Sequence, residues 1–422
     1  MKRILVFLGA ALFALGAHAQ LTIDITTSGG RQIPIAVMPL RGESTQPQSV
    51  SEVVGADLAR TGLFRLVNTV GISPTPTEPS EVNFGDWTAR SAEALVIGKV
   101  EAQGDRVEVR FRLFDVQKQS QLASYSYLVA PAQLRATAHR IADLIYERLT
   151  GDKGAFSTKI TYVVKKGTRF ELQVADADGF NAQTVLASQE PIMSPSWSPD
   201  GSRLAYVSFD QKKPIVVVQN LAQGTTKIVA NYRGNNSAPA WSPDGRFLAV
   251  ALSKDGLTQV YRIPAGGGEV ERLTDSPGID TQPAYSPDGQ WIAFTSDRGG
   301  SPQIYRMPAA GGPATRLTFE GTYNVGPRYS PDGKSIAYVS RDAGRFRIAT
   351  MELANGQVQV LTDGTLDDSP TYAPNGKMIL YEASAGGRGQ LAAVSGDGRV
   401  RQRLTSAAGD VQDPAWGPMP TN

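Results

Sequence analysis

Pro195-Ser-Trp-Ser-Pro-Asp-Gly201 returns as Pro239-Ala-Trp-Ser-Pro-Asp-Gly245, Pro283-Ala-Tyr-Ser-Pro-Asp-Gly289 and Pro327-Arg-Tyr-Ser-Pro-Asp-Gly333. Two looser copies follow, Pro370-Thr-Tyr-Ala-Pro-Asn-Gly376 and Pro414-Ala-Trp-Gly-Pro-Met419. The leading prolines stand 44, 44, 44, 43 and 44 residues apart. A fixed period of this size belongs to repeat architectures, and near 40–45 residues the unit is a four-stranded propeller blade. Six copies predict six blades.

Working outward from the motif, each copy divides into strands. An apolar run follows the turn, as in Leu204-Ala-Tyr-Val207, Leu248-Ala-Val-Ala251 and Ile292-Ala-Phe-Thr295. A second run (Gln259-Val-Tyr-Arg-Ile263), a Gly-rich turn and a third run (Glu271-Arg-Leu-Thr274) come next. The strand carrying the motif aromatic makes four. Pro presets the first corner of a type I turn, and Gly takes the left-handed position that rejoins the ladder. Turn geometry therefore accounts for Asp200, Asp244, Asp288 and Asp332 without a metal.

The period also predicts how the ring closes. Tyr162 precedes Tyr206 by one period, so Lys159–Val164 is a second strand with no motif strand ahead of it. The last motif has no strands after it. Residues 411–418 are thus expected to pair within 160–187 and complete one blade, leaving no open sheet edge.

The chain has 422 residues and no cysteine. Residues 1–20 read as a signal peptide: Lys2 and Arg3, an apolar run from Ile4 to Gly16, then Ala17-His18-Ala19 ahead of cleavage between Ala19 and Gln20. The apolar run is shorter than the roughly 20 residues a membrane-spanning helix needs. The chain is expected in the periplasm. Without Lys2 and Arg3, 40 cationic side chains balance 40 carboxylates. That gives no basic excess for nucleic acid or an anionic membrane.

Residues 33–150 read as a small α/β domain. Ile33–Met38 and Phe64–Val67 are strands, and Val50, Val53, Val54 and Leu58 have helical spacing behind a Ser49/Glu52 capping box. A short helix is expected near Trp87–Ala92. Strands at Leu95–Val100, Arg106–Leu113 and Leu122–Val129 form a meander, and a closing helix runs from Pro131 to Thr150. Residues 151–157 are the linker and 158–422 the propeller. Residues 21–32 alternate apolar and polar, the pattern of a flexible arm able to add a strand to a partner's sheet.

Catalytic constellations are absent from the sequence. After residue 20 there is one histidine, His139, placed by the helical pattern at the surface or half-buried. There is no Gly-x-Ser-x-Gly elbow and no phosphate loop. No enzyme, cofactor or metal site is expected. The segments before each motif (187–194, 231–238, 275–282, 319–326, 363–369 and 406–413) vary while the strands do not. They gather at one mouth of the channel, where varied chemistry on a rigid scaffold points to recognition.

Signal peptide, small α/β domain and six Trp/Tyr-Ser-Pro-Asp-Gly blades resemble the TolB family of the Tol–Pal system of Gram-negative bacteria, across essentially the whole mature chain. The start, Leu21-Thr-Ile-Asp-Ile25 and then Arg31-Gln-Ile-Pro-Ile-Ala-Val-Met-Pro39, is also similar to the family's. The resemblance implies a non-catalytic adaptor that docks the outer-membrane lipoprotein Pal at the propeller mouth and engages TolA through the arm. It implies a role in envelope integrity and in constriction during division, with other outer-membrane proteins as further partners. Carried over, the Pal-docking positions are Asn235, Ala238 and Thr281; the family often has histidine where Asn235 stands. The loop argument adds Tyr323, Asn324, Val325 and Asp368. TolA contact falls on Leu21, Ile23, Asp24 and Ile25. The competing expectation is an exported propeller holding a small ligand or glycan in its channel, to which the motif serines Ser198, Ser242, Ser286 and Ser330 would be exposed.

Overall fold

A computed structural model describes residues 22–27, 29–405 and 409–420. The expected cleavage site at Ala19 and Gln20, and Leu21, lie outside them. The architecture is a small N-terminal α/β domain followed by a six-bladed β-propeller.

The N-terminal sheet runs in the order Phe64–Leu66, Ile33–Val37, Ala94–Gln103, Arg106–Asp115, Ser120–Val129. Its first three strands are parallel, and the long hairpin strands are antiparallel. Helices Val50–Arg60 and Leu134–Thr150 cover one face, burying Val54, Leu58, Phe111, Ala138 and Ile141. The short helix Phe84–Ala89 covers part of the other face and seats Trp87. It starts earlier than the apolar pattern predicts because Asn83 caps it, its side chain accepting from the Gly85 N–H at 3.1 Å. Ser49 caps the first helix, and the buried Glu43 carboxylate adds bonds from the Val50 and Ser51 N–H groups at 3.0 Å. A carboxylate among the free N–H groups of a helix start is stabilising.

Blades 2 to 6 begin with the inner strands Ile192–Trp197, Asn236–Trp241, Asp280–Tyr285, Tyr323–Tyr329 and Asp367–Tyr372. Each is followed by three antiparallel strands of its own. Blade 1 is composite. Asp410–Trp416 supplies its inner strand, pairing with Lys159–Lys166 so that Trp416 stands opposite Ile160. Motif tryptophans also tie neighbouring blades. The Trp241 indole N–H donates to the Ser196 carbonyl at 3.1 Å, and that of Trp197 to the Ala415 carbonyl at 3.2 Å.

The arm is not a free extension. Thr22–Thr27 pairs antiparallel with Val400–Thr405, giving blade 6 a fifth strand with Ile23 opposite Leu404 and Ile25 opposite Gln402. An alternating segment adds to whichever open edge is in reach, and here that is the blade's own outer edge. At Gly62 (φ 72°) the loop after the first helix passes so close that a Cβ would lie 2.6 Å from Val400.

The N-terminal domain sits on the motif-turn side of blades 6 and 1. Gln402 Nε2 donates to the Arg60 carbonyl, Asn375 Nδ2 to the Lys153 carbonyl, and Lys377 pairs with Asp152 at 2.7 Å. Between the domains lies a cavity of about 310 Å³ lined by Tyr146, Phe156, Met378, Val400 and Trp416. His139 is 2 % exposed, not a surface residue: its helix packs under the propeller, which the helical pattern of one domain alone does not reveal.

Candidate docking site at the propeller mouth

The motif turns and the mouth lie at opposite ends of the same inner strands. In the turns, Ser198, Ser242, Ser286 and Ser330 are buried, so the expectation that they line the channel is corrected. Each hydroxyl donates to the aspartate two residues on and accepts the N–H five residues on, as in Ser242–Asp244 at 2.6 Å and Phe247 N–H to Ser242 at 3.0 Å. Hydrogen bonding to Ser198 and to Ser242 is the main cause that lowers the Asp200 and Asp244 carboxyls to about 2.

At the mouth each inner strand bulges just before its proline. One residue per blade is left-handed there: Ser194, Ala238, Gln282, Gly326, Ser369 and Asp413, with φ between 48° and 65°. Five of the six are not glycine, which is unusual for that region of the map. Their side chains link blades around the channel. Asp413 accepts from the Ser194 N–H at 3.0 Å and the Ser369 hydroxyl at 3.1 Å, and Gln282 accepts from the Gly326 N–H at 3.0 Å. The Ala238 methyl at blade 3 and Gly326 at blade 5 offer no side-chain hydrogen bond of this kind.

The carried-over positions fall on blades 3 and 4. Asn235 is half-buried, its N–H donating to Ser253 Oγ at 2.7 Å and its amide to Ser237 Oγ at 2.8 Å. Ala238 and Thr281 are half-buried on blades 3 and 4. Tyr323 packs edge-on against Phe346, and Asp368 is exposed across the channel on blade 6. Asn324 and Val325 do not present themselves. Asn324 is fully buried, its amide donating to Gln303 Oε1 and the Glu320 carbonyl at 2.8 Å, and Val325 belongs to the core between blades 5 and 6. Of the arm positions, Ile23, Asp24 and Ile25 lie in the fifth strand of blade 6, away from the mouth.

Two features escaped the sequence. Exposed apolar side chains gather on the mouth loops: Phe319 (73 % exposed), Leu366, Leu257, Ile279 and Met193. The channel also holds a charged group drawn from three blades. Glu382 stands directly opposite Asp368, and its carboxylate accepts the Asp413 N–H at 3.2 Å. Burial, with Asp413 and Asp368 adding to it, pushes Glu382 up to about 7. Asp368 is open to solvent in the channel yet surrounded by protein, and that desolvation likewise raises its carboxyl. Arg328 is reached by solvent yet ringed by protein, which lowers its guanidinium, while Asp413 and Asp368 oppose that effect. These groups lie far apart in the chain, and only ring closure assembles them.

The comparisons decide the family. The profile described as the TolB beta propeller domain matches residues 146–420, and that of the TolB amino-terminal domain matches 21–122. The chain belongs to the TolB family. It is 61% identical over 407 residues to the Tol-Pal system protein TolB of Methylobacillus flagellatus, covering 96% of this chain and 94% of that one. To the protein of the same name from Dechloromonas aromatica it is 60% identical, covering 98% and 97%. The crystal structure of TolB from Acinetobacter baumannii superposes with a TM-score of 0.87 at 38% identity, covering 94% of this chain and all of that chain. As a TolB-family member the chain is a non-catalytic component of the Tol–Pal system, on the periplasmic side of the envelope. Among the described residues no helix is long and apolar enough to cross a membrane.

Proposed function

We propose that this TolB-family chain works in the periplasm as a two-ended adaptor, docking the lipoprotein Pal at the propeller mouth and engaging TolA through the arm. In that role it supports envelope integrity and outer-membrane constriction at division. The observation that carries the Pal end is the set of exposed apolar side chains spread around the mouth, with Leu257 and Ile279 on the same blades as Asn235, Ala238 and Thr281, on the face away from the N-terminal domain. Exposed apolar groups on a rigid rim are what a protein partner buries. At the other end, Thr22–Thr27 is the outermost strand of blade 6, so its far edge accepts a further strand.

Calorimetric titration of the chain from residue 21 with the soluble part of Pal tests the first half. Saturable binding is expected, lost in a Thr281→Arg, Ala238→Asp double variant that melts like the parent. No complex by calorimetry and size exclusion would refute the Pal reading. Deleting residues 21–32 is expected to abolish TolA binding and to leave Pal binding largely intact; equal loss of both would make the arm structural.

A further inference from the structure

His139 is the only imidazole after residue 20, and it is buried where the helix Leu134–Thr150 meets the propeller. Its Nδ1 lies 2.6 Å from Asp57 Oδ2 on the neighbouring helix, so that nitrogen carries the proton and donates it. Its Nε2 has no hydrogen-bond partner and faces Asp178 Oδ2, on the propeller, at 3.9 Å. A neutral ring therefore turns a lone pair toward a carboxylate across the domain boundary. A proton at Nε2 would convert that opposition into a charge-assisted contact.

The charged groups around the ring come from both helices and from the propeller. From the first helix come Asp57 and Arg60, paired at 3.2 Å. From its own helix come Arg135 and Asp143; Arg135 pairs with Asp178 and lies 3.8 Å from Asp176, and its guanidinium stacks over Phe180. Asp143 accepts from the linker N–H groups of Phe156 and Ser157. From the propeller come Asp176, Asp178 and Lys159, the last paired with Asp176. Asp57, Asp178 and Asp176 are each matched by a fixed cation and burial raises the Asp143 carboxyl, so the contact left unmade is that between His139 Nε2 and Asp178. Burial works to raise the Asp178 carboxyl, yet the Arg60 and Arg135 guanidiniums help hold it below the ordinary carboxylate range. Asp57, His139 and Asp178 lie close enough to share a metal ion, but Arg60 and Arg135 already serve those carboxylates.

We infer that His139 is a proton-operated latch between the N-terminal domain and the propeller, closing more firmly when Nε2 is protonated. The interface encloses a cavity and so is not continuously packed, and one added ionic contact shifts how often the domains part. Imidazoles as a class change charge between about pH 5 and 8, so that range is the one to scan.

In protein expressed from residue 21, His139 gives the only imidazole signal, so its protonation is followed directly by carbon-13 NMR from pH 5 to 8.5. Hydrogen exchange over 134–150 and 176–180, normalised to blade 4 amides at each pH, reports on opening of the interface. The expected result is one titration in the window, with interface protection falling roughly ten-fold from low to high pH at the same midpoint. His139→Asn keeps a donor toward Asp57 without a second proton, and its protection is expected to stay at the high-pH level throughout. No titration in the window, or titration with unchanged protection, would overturn the latch. The two wild-type measurements decide the question even if the variant fails to fold.

Discussion

The two faces of the propeller solve the same geometric problem in opposite ways. On the turn face one answer is copied from blade to blade. A Gly N–H returns to the Ser or Ala carbonyl at 2.8–2.9 Å in five of the turns, and four buried serines bridge to their aspartates. On the mouth face the same strands end in six left-handed residues of five types, whose hydrogen bonds differ from blade to blade. Backbone closure alone needs one good turn, so repetition marks the fold. Variation on an equally constrained rim marks the surface where something else must be recognised.

The comparison rests on a closed ring, and breaking the ring is the harshest test of it. Deleting residues 410–422 removes the inner strand of blade 1, together with the Trp416 indole bond to Thr158 at 2.8 Å and the Asp413 links to Ser194 and Ser369. It also bares Val163 and Val164, both now buried. The expected outcome is loss of cooperative melting and of near-ultraviolet circular dichroism. An unchanged melt would mean that the blades stand without closure.

A paired substitution sharpens the contrast between the faces. Phe319→Ser on the mouth is expected to weaken Pal binding at least ten-fold and to leave the melting temperature alone, since the ring is largely exposed. Asp288→Ala on the turn face removes the acceptor for Ser286 Oγ and the Gln290 N–H. It is expected to lower the melting temperature measurably and to leave Pal affinity unchanged. Calorimetry and thermal melts on both variants check the crossing. If Asp288→Ala changed affinity as much as Phe319→Ser, the faces would not be functionally distinct.

What the sequence made legible follows the same division. The repeated motif, its turn chemistry and its spacing concern the copied face, where each residue's role is local. The mouth is legible only as a location. Asn324 shows why a variable loop does not expose every residue in it. It stands three places before its proline, where Asn236, Asp280 and Asp367 stand in blades 3, 4 and 6, and all four are buried. That polar position recurs because its side chain holds the loop, as the Asn236 amide does for the Tyr232 and Gly234 carbonyls. Comparing copies position by position carries this signal; comparing whole loops hides it. His139 and the channel carboxylates are a different matter. Their partners come from another domain or from across the ring, and no local pattern encodes them.

The smallest effect belongs to the channel and carries a sign. Glu382 titrates at about 7 in the folded chain, against an ordinary glutamate value near 4.5, because burial and the neighbouring Asp413 and Asp368 disfavour its charge. The native state therefore holds this proton more tightly than the unfolded chain does. The stability it lends is complete below about pH 4.5 and is lost as pH rises through 7. At about 1.4 kcal/mol per pH unit the ceiling is about 3 kcal/mol, and water in the channel reduces that to roughly 1–2 kcal/mol. Glu382→Gln keeps an acceptor for the Asp413 N–H and carries no charge. Its melting temperature is expected to exceed the parent's by a few degrees at pH 8 and to match it at pH 4.5. A difference of the same size at both values would mean that Glu382 is held by packing, and that the charges gathered at the mouth do not strain it.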